Sequence, residues 1–87
     1  DPYFPNAYDS LSVIYAGQGN LAKAKEMVKK FIELQPINPA AYYNLALIEQ
    51  AAVNRADARA AVQAGLRYAP EGSEIRRALE KLLAELK

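Results

Sequence analysis

The chain has 87 residues, enough for one domain with a modest core that needs regular packing or a partner to be stable. It contains neither His nor Cys, so the usual general base near neutral pH, thiolate nucleophiles, disulfides and soft metal ligands are all missing, and a binding role is expected rather than catalysis. Eleven basic residues against ten acidic ones leave a formal charge of +1, too weak a field to draw the whole chain to a nucleic-acid backbone or an anionic membrane.

The composition is 52% apolar with no Trp and two Phe, and its apolar and charged stretches are rich in Ala, Leu, Glu, Lys and Arg, a mixture that favours helix over sheet. No apolar run approaches the roughly 20 residues that span a bilayer.

The prolines act as a ruler. Pro2, Pro36 and Pro70 are 34 residues apart, and so are Pro5 and Pro39. Laying 5–38 over 39–72 without a gap matches Pro5/Pro39, Ala7/Ala41, Tyr8/Tyr42, Leu11/Leu45, Ile14/Ile48, Asn20/Asn54, Ala22/Ala56, Ala24/Ala58, Val28/Val62 and Pro36/Pro70. Self-similarity at such a period is the signature of a solenoid.

In chain order, residues 1–4 read as the tail of a preceding unit, because Pro2 sits where a closing proline would fall. The first helix is predicted over 6–18, with Tyr8, Leu11, Ile14 and Tyr15 on one face at the spacing of helical turns. Gly17-Gln18-Gly19-Asn20 breaks it, since Gly and Asn tolerate the left-handed conformation that ends helices. A second helix, 21–35, carries Leu21, Ala24, Val28, Phe31 and Ile32 inward, while Lys23, Lys25, Lys29 and Lys30 form a solvated convex face. Pro36 stops it, and Pro39 starts the next where its missing N–H is harmless.

The pattern then repeats, with helices predicted over 40–52 and 55–69. Gly65 inside the latter costs about 1 kcal/mol relative to Ala, tolerable where another helix must come close. Ser73 is the candidate N-cap of a last helix, in which Ile75, Leu79, Leu82, Leu83 and Leu86 face the stack and Glu74, Arg76, Arg77, Glu80, Lys81 and Glu85 face water. The expected architecture is all-α: two units, 5–38 and 39–72, closed by a capping helix in 73–87.

This pattern resembles the tetratricopeptide repeat. In that family's order of bulky, Leu, small, aromatic, Ala, bulky and Pro positions, the first unit supplies Tyr8, Leu11, Ser12, Tyr15, Ala24, Val28 and Pro36, and the second Tyr42, Leu45, Ala46, Ala58, Val62 and Pro70. Glu49 departs from the aromatic, and Phe31 and Gly65 differ at a slot the family keeps small. An unpartnered buried Glu49 would cost several kcal/mol, roughly 2–7 even if neutral, so it is expected to face solvent or to meet Arg59 or Arg76.

The resemblance implies a superhelix of five antiparallel-packed helices whose concave face, made by the first helix of each pair, receives an extended or helical peptide. By family position that face holds Asn6, Asp9, Val13, Ala16 and Gly17 in unit one, and Ala40, Tyr43, Asn44, Leu47 and Gln50 in unit two. Tyr43 offers a large amphipathic surface at low rotamer cost, Val13 and Leu47 add apolar contact, and Asn44 can both donate to and accept from a peptide backbone. The competing role for Tyr43 and Leu47 is packing on the neighbouring unit.

Chaperone-binding members clamp a terminal carboxylate with Lys, Asn, Asn, Lys and Arg at five positions, which here carry Asp9, Val13, Asn44, Glu74 and Ala78. Only Asn44 agrees, Asp9 and Glu74 would repel a carboxylate, and Arg77 beside the last slot compensates in part, so that clamp is rejected. The expected function is a protein-binding module, part of a longer scaffold or adaptor, with no cofactor, no metal and no catalytic residue. The alternatives are a single-stranded RNA-binding helical repeat, disfavoured by the charge balance, and self-association through the N-terminal edge, where Tyr3 and Phe4 would be the local cover.

Overall fold

The computed structural model describes residues 4–86, so Tyr3 and most of the expected 1–4 tail lie outside the described residues. Five α-helices follow one another and no strand occurs among the described residues: α1 (Pro5–Gly17), α2 (Leu21–Leu34), α3 (Pro39–Ala51), α4 (Arg55–Tyr68) and α5 (Glu74–Glu85). Each predicted helix is present, with ends within one residue of expectation through α4.

The boundaries have local causes. Pro5 and Pro39 open α1 and α3 at positions where a missing N–H is harmless. Asn20 caps α2 by accepting from the Lys23 backbone N–H at 3.3 Å, Asn38 caps α3 through the Ala40 N–H at 2.9 Å, and Ser73 caps α5 through the Arg76 N–H at 3.2 Å. Asn54, the counterpart of Asn20, makes no cap and instead donates to a Glu49 carboxylate oxygen at 3.4 Å.

The two turns inside the pairs solve one backbone problem with different residues. Gly19 takes φ of 79° between α1 and α2, while its counterpart Val53 takes φ of 62° between α3 and α4. A β-branched side chain in the left-handed region is strained by about 1–2 kcal/mol.

Three-residue turns fold α1 back on α2 and α3 back on α4, giving two antiparallel hairpins. Helix α2 packs on α3 and α4 on α5, while α1 touches α3 and α3 touches α5, so α1, α3 and α5 lie side by side on one face. The core has two parts. Ala24, Val28 and Ile48 join the hairpins, with Tyr15, Leu21 and Leu45 packed against them. Ala46, Ala58, Val62, Leu79, Leu82 and Leu86 form the larger cluster beneath α5.

Small residues stand where helices approach most closely. Ser12, Ala24, Ala46 and Ala58 are buried, and Ser12 satisfies its hydroxyl by donating to the Asp9 carbonyl at 2.7 Å. A Cβ on Gly65 would lie 3.1 and 3.2 Å from the two Leu79 methyls and 3.2 Å from Tyr42 Cβ, so the missing side chain is what admits Leu79 between α3 and α4. The Tyr42 ring stacks on Tyr68 with centroids 5.8 Å apart, and its hydroxyl donates to the Pro36 carbonyl. Burial, with a smaller contribution from Tyr68, raises the Tyr42 phenol above its ordinary pKa, and Arg67 opposes the rise.

One expectation is corrected. Glu49 neither faces solvent nor meets Arg59 or Arg76: it is buried, and Lys25 of α2 reaches it at 3.1 Å. Arg59 instead donates to the Leu86 carbonyl and Arg76 to the Leu66 and Ala69 carbonyls, binding loop and helix ends. Lys25 therefore leaves the solvated convex face to which its neighbours Lys23, Lys29 and Lys30 belong. Leu11 and Ile14, on the helix face read from the sequence, are 37% and 53% exposed, because among the described residues no helix lies outside α1 to cover them.

Candidate protein-binding groove

The side-by-side arrangement of α1, α3 and α5 leaves a groove with two connected hollows. The first, about 100 Å³, lies between α1 and α3 and is lined by Ser12, Val13, Ala16, Asn44, Leu47 and Ile48. The second, about 260 Å³, lies between α3 and α5 and is lined by Tyr43, Leu47, Ala78, Lys81, Leu82 and Glu85. Leu47 belongs to both, so the two hollows share an apolar ridge.

The helical period explains this lining. Tyr43 and Leu47 are four residues apart on α3, and Ala78, Lys81, Leu82 and Glu85 follow the same three-and-four spacing on α5. Val13 and Leu47 remain 59% and 38% exposed. Tyr43 is half-buried and packs against the core beneath α5, so it serves groove and core at once. Asn44 donates through Nδ2 to Asp9 Oδ1, a bond across the groove floor that ties α1 to α3 and orients the amide.

The structure thus brings together five of the eight residues selected from sequence: Asp9, Val13, Tyr43, Asn44 and Leu47. Asn6 instead borders a separate recess with Phe4, Pro5, Ala7 and Gln35, at the outer end of α1. Gln50 is half-buried near the end of α3 and lines neither hollow. Arg77 is exposed and donates to the Gly72 carbonyl at 3.0 Å, which directs its guanidinium to the preceding loop rather than into the groove.

Lys81, Leu82 and Glu85 were missed because α5 was read as a cap with an inner and an outer face. The signal was available. Adding 34 to Asn44 and Leu47 gives Ala78 and Lys81, so α5 continues the series of first helices and forms a groove wall as well as a lid. Lys81 and Glu85 supply one charge of each sign at that end, and Asp9 supplies a negative charge at the other. Among the described residues no group of three carboxylate, His or Cys side chains is placed to hold a metal ion.

Repeated helical hairpins stacked with their first helices along one face define the class of α-helical repeat proteins. Comparison with known families makes this specific: residues 5–38 match the family described as tetratricopeptide repeat. The first hairpin matches such a repeat, a family whose general role is protein–protein interaction. No curated protein matches the chain.

Proposed function

We propose that this chain binds a segment of a partner protein along the groove of α1, α3 and α5, with 5–38 and 39–72 acting as two binding repeats and 73–87 as the closing wall. The observation that carries the reading is the uncovered apolar ridge of Val13 and Leu47 running between polar groups that fit a backbone or side chain: Asn44 with Asp9 on one side, Lys81 and Glu85 on the other. Apolar contact supplies affinity and a few placed polar groups supply register. The carboxylates of Asp9 and Glu85, with a net charge of +1, support a polypeptide over a nucleic-acid strand. The proposal also includes weak self-association through the N-terminal edge.

A peptide selected against the chain from a displayed random library provides the probe. Leu47→Asp is expected to weaken that peptide at least about tenfold, and Tyr43→Ala with Asn44→Ala to do the same, since interface hot spots commonly carry 1–2 kcal/mol or more. Unchanged affinity in a folded Leu47→Asp chain would reject the groove. Submicromolar, steeply salt-dependent binding of single-stranded RNA would replace it with a nucleic-acid role.

A further inference from the structure

Two positions of the 34-residue period, read across the three groove helices, set the charge of this face. Asp9, Tyr43 and Arg77 share one of them, and Val13, Leu47 and Lys81 share the other. Arg77 is turned to the Gly72 carbonyl, so the first row leaves the groove one charge, the carboxylate of Asp9. Asp9 is the single charged residue of α1, and the single charged residue of α3, Glu49, is buried and held by Lys25. The lysines of α2 line neither hollow: Lys25 and Lys29 border a recess on another side of α3, with Tyr42, Leu45 and Glu49, and Lys23 pairs with Glu26. Lys81 and Glu85 line only the hollow between α3 and α5. The seam between α1 and α3, both of whose walls belong to this chain, therefore holds a half-buried carboxylate that forms no ion pair among the described residues. Of its two oxygens only Oδ1 is engaged there, by Asn44.

We infer that the partner segment in this seam is extended and basic: an aliphatic side chain enters the hollow between α1 and α3, and a Lys or Arg two positions away pairs with Asp9. The inference rests on the groove reading above and names the chemistry that the groove selects. The hollow is about 100 Å³ between helices that touch, room for one side chain and not for a helix roughly 10–12 Å across. Val13, Ala16, Leu47 and Ile48 give it an aliphatic lining, and the Ser12 hydroxyl already donates to the Asp9 carbonyl. An apolar group gains by entering, and a charged one would lose its water there. Asp9 lies one helical turn before Val13, about 6 Å along the axis of α1. In an extended strand, side chains two residues apart point the same way and are separated by about 6.6 Å. The two spacings match, so a basic side chain reaches the second oxygen of Asp9 while its aliphatic neighbour rests against Val13 and Leu47. An acidic residue in that place is repelled.

Peptides selected on the chain from a displayed random library are expected to share a Lys or Arg two positions from a Leu, Ile or Val. With one such peptide made synthetically, Asp9→Asn is expected to weaken binding about three- to tenfold. That variant keeps an oxygen for Asn44, so helicity and melting temperature stay as they are. The same peptide with its basic residue changed to Gln is expected to bind both chains equally, and Asp9→Lys is expected to prefer the peptide with Glu in that place. Added salt is expected to weaken the unaltered chain more than Asp9→Asn. A selected pool without the basic residue, or a peptide that Leu47→Asp abolishes and Asp9→Asn leaves alone, overturns this inference while the groove stands. A library that yields no peptide, or only peptides indifferent to Leu47→Asp, overturns the groove reading and this inference with it.

Discussion

The two hairpins share ten identities over 34 positions, yet the same residue does different work in each. Ile14 is 53% exposed and Ile48 is 3% exposed, though both sit at the same point of a first helix and both follow the same Leu by three residues. The difference is the neighbour: α2 lies against α3, and no helix lies against the outer side of α1 among the described residues. In a repeat stack, burial belongs to the interface between units and is set by what comes before a unit as much as by the unit itself.

The comparison breaks if equivalent residues prove energetically equal. Ile48→Ala is expected to destabilise by about 2–5 kcal/mol through lost burial and a cavity, whereas Ile14→Ala stays within about 0.5 kcal/mol. Urea denaturation of both variants checks this, and equal shifts would show that the exposed face of α1 is not exposed in solution. Next in size is the slot held by Phe31 in the first hairpin and Gly65 in the second. Gly65→Val is expected to cost about 1–3 kcal/mol, because its new atoms press on Leu79 and Tyr42 Cβ; an unchanged thermal midpoint would refute that close approach.

The ion pair sharpens the contrast at the repeat position held by Tyr15 in the first hairpin and by Glu49 in the second. Lys25→Met leaves the buried Glu49 carboxylate with only Asn54 and is expected to destabilise by about 1–2 kcal/mol, the partial exposure of Lys25 limiting the loss. Glu49→Leu, which removes the buried charge itself, is expected to be neutral or stabilising in the same melts. Destabilisation by both substitutions to a similar degree would mean that the pair holds the hairpins together outright. The smallest effect is at the turns: Val53→Gly is expected to gain about 0.5–1 kcal/mol by relieving the left-handed valine, after the offsetting entropy of a glycine. Differential scanning calorimetry resolves a gain of that size, and a loss would show that Val53 is not strained.

Much of the fold was legible because it is written in local chemistry. Pro5, Pro39 and Ser73 open helices through geometry confined to one turn, and the 34-residue period needs no knowledge of contacts to be seen. The groove was legible in part: Val13, Tyr43, Asn44 and Leu47 follow from helical spacing and family position, whereas Lys81 and Glu85 become groove residues only once α5 is seen to continue the row of α1 and α3. Arg77 was chosen by position alone, and its bond to the Gly72 carbonyl, a choice among rotamers, takes it elsewhere.

By itself, the sequence determined the helices, their turns and the repeat, because helix periodicity, proline geometry and caps act over a few residues. It also determined the chemistry on offer, with no His and no Cys to draw on. Only the tertiary structure decided which copy of a repeated residue is covered and which partner a charge takes. Leu11 and Ile14 are open while Leu79 and Leu82 are closed, and Glu49 finds Lys25, 24 residues away, rather than Arg59 or Arg76. Those outcomes depend on distances between helices, and a pattern that repeats identically along the chain carries no record of which of its copies has a neighbour.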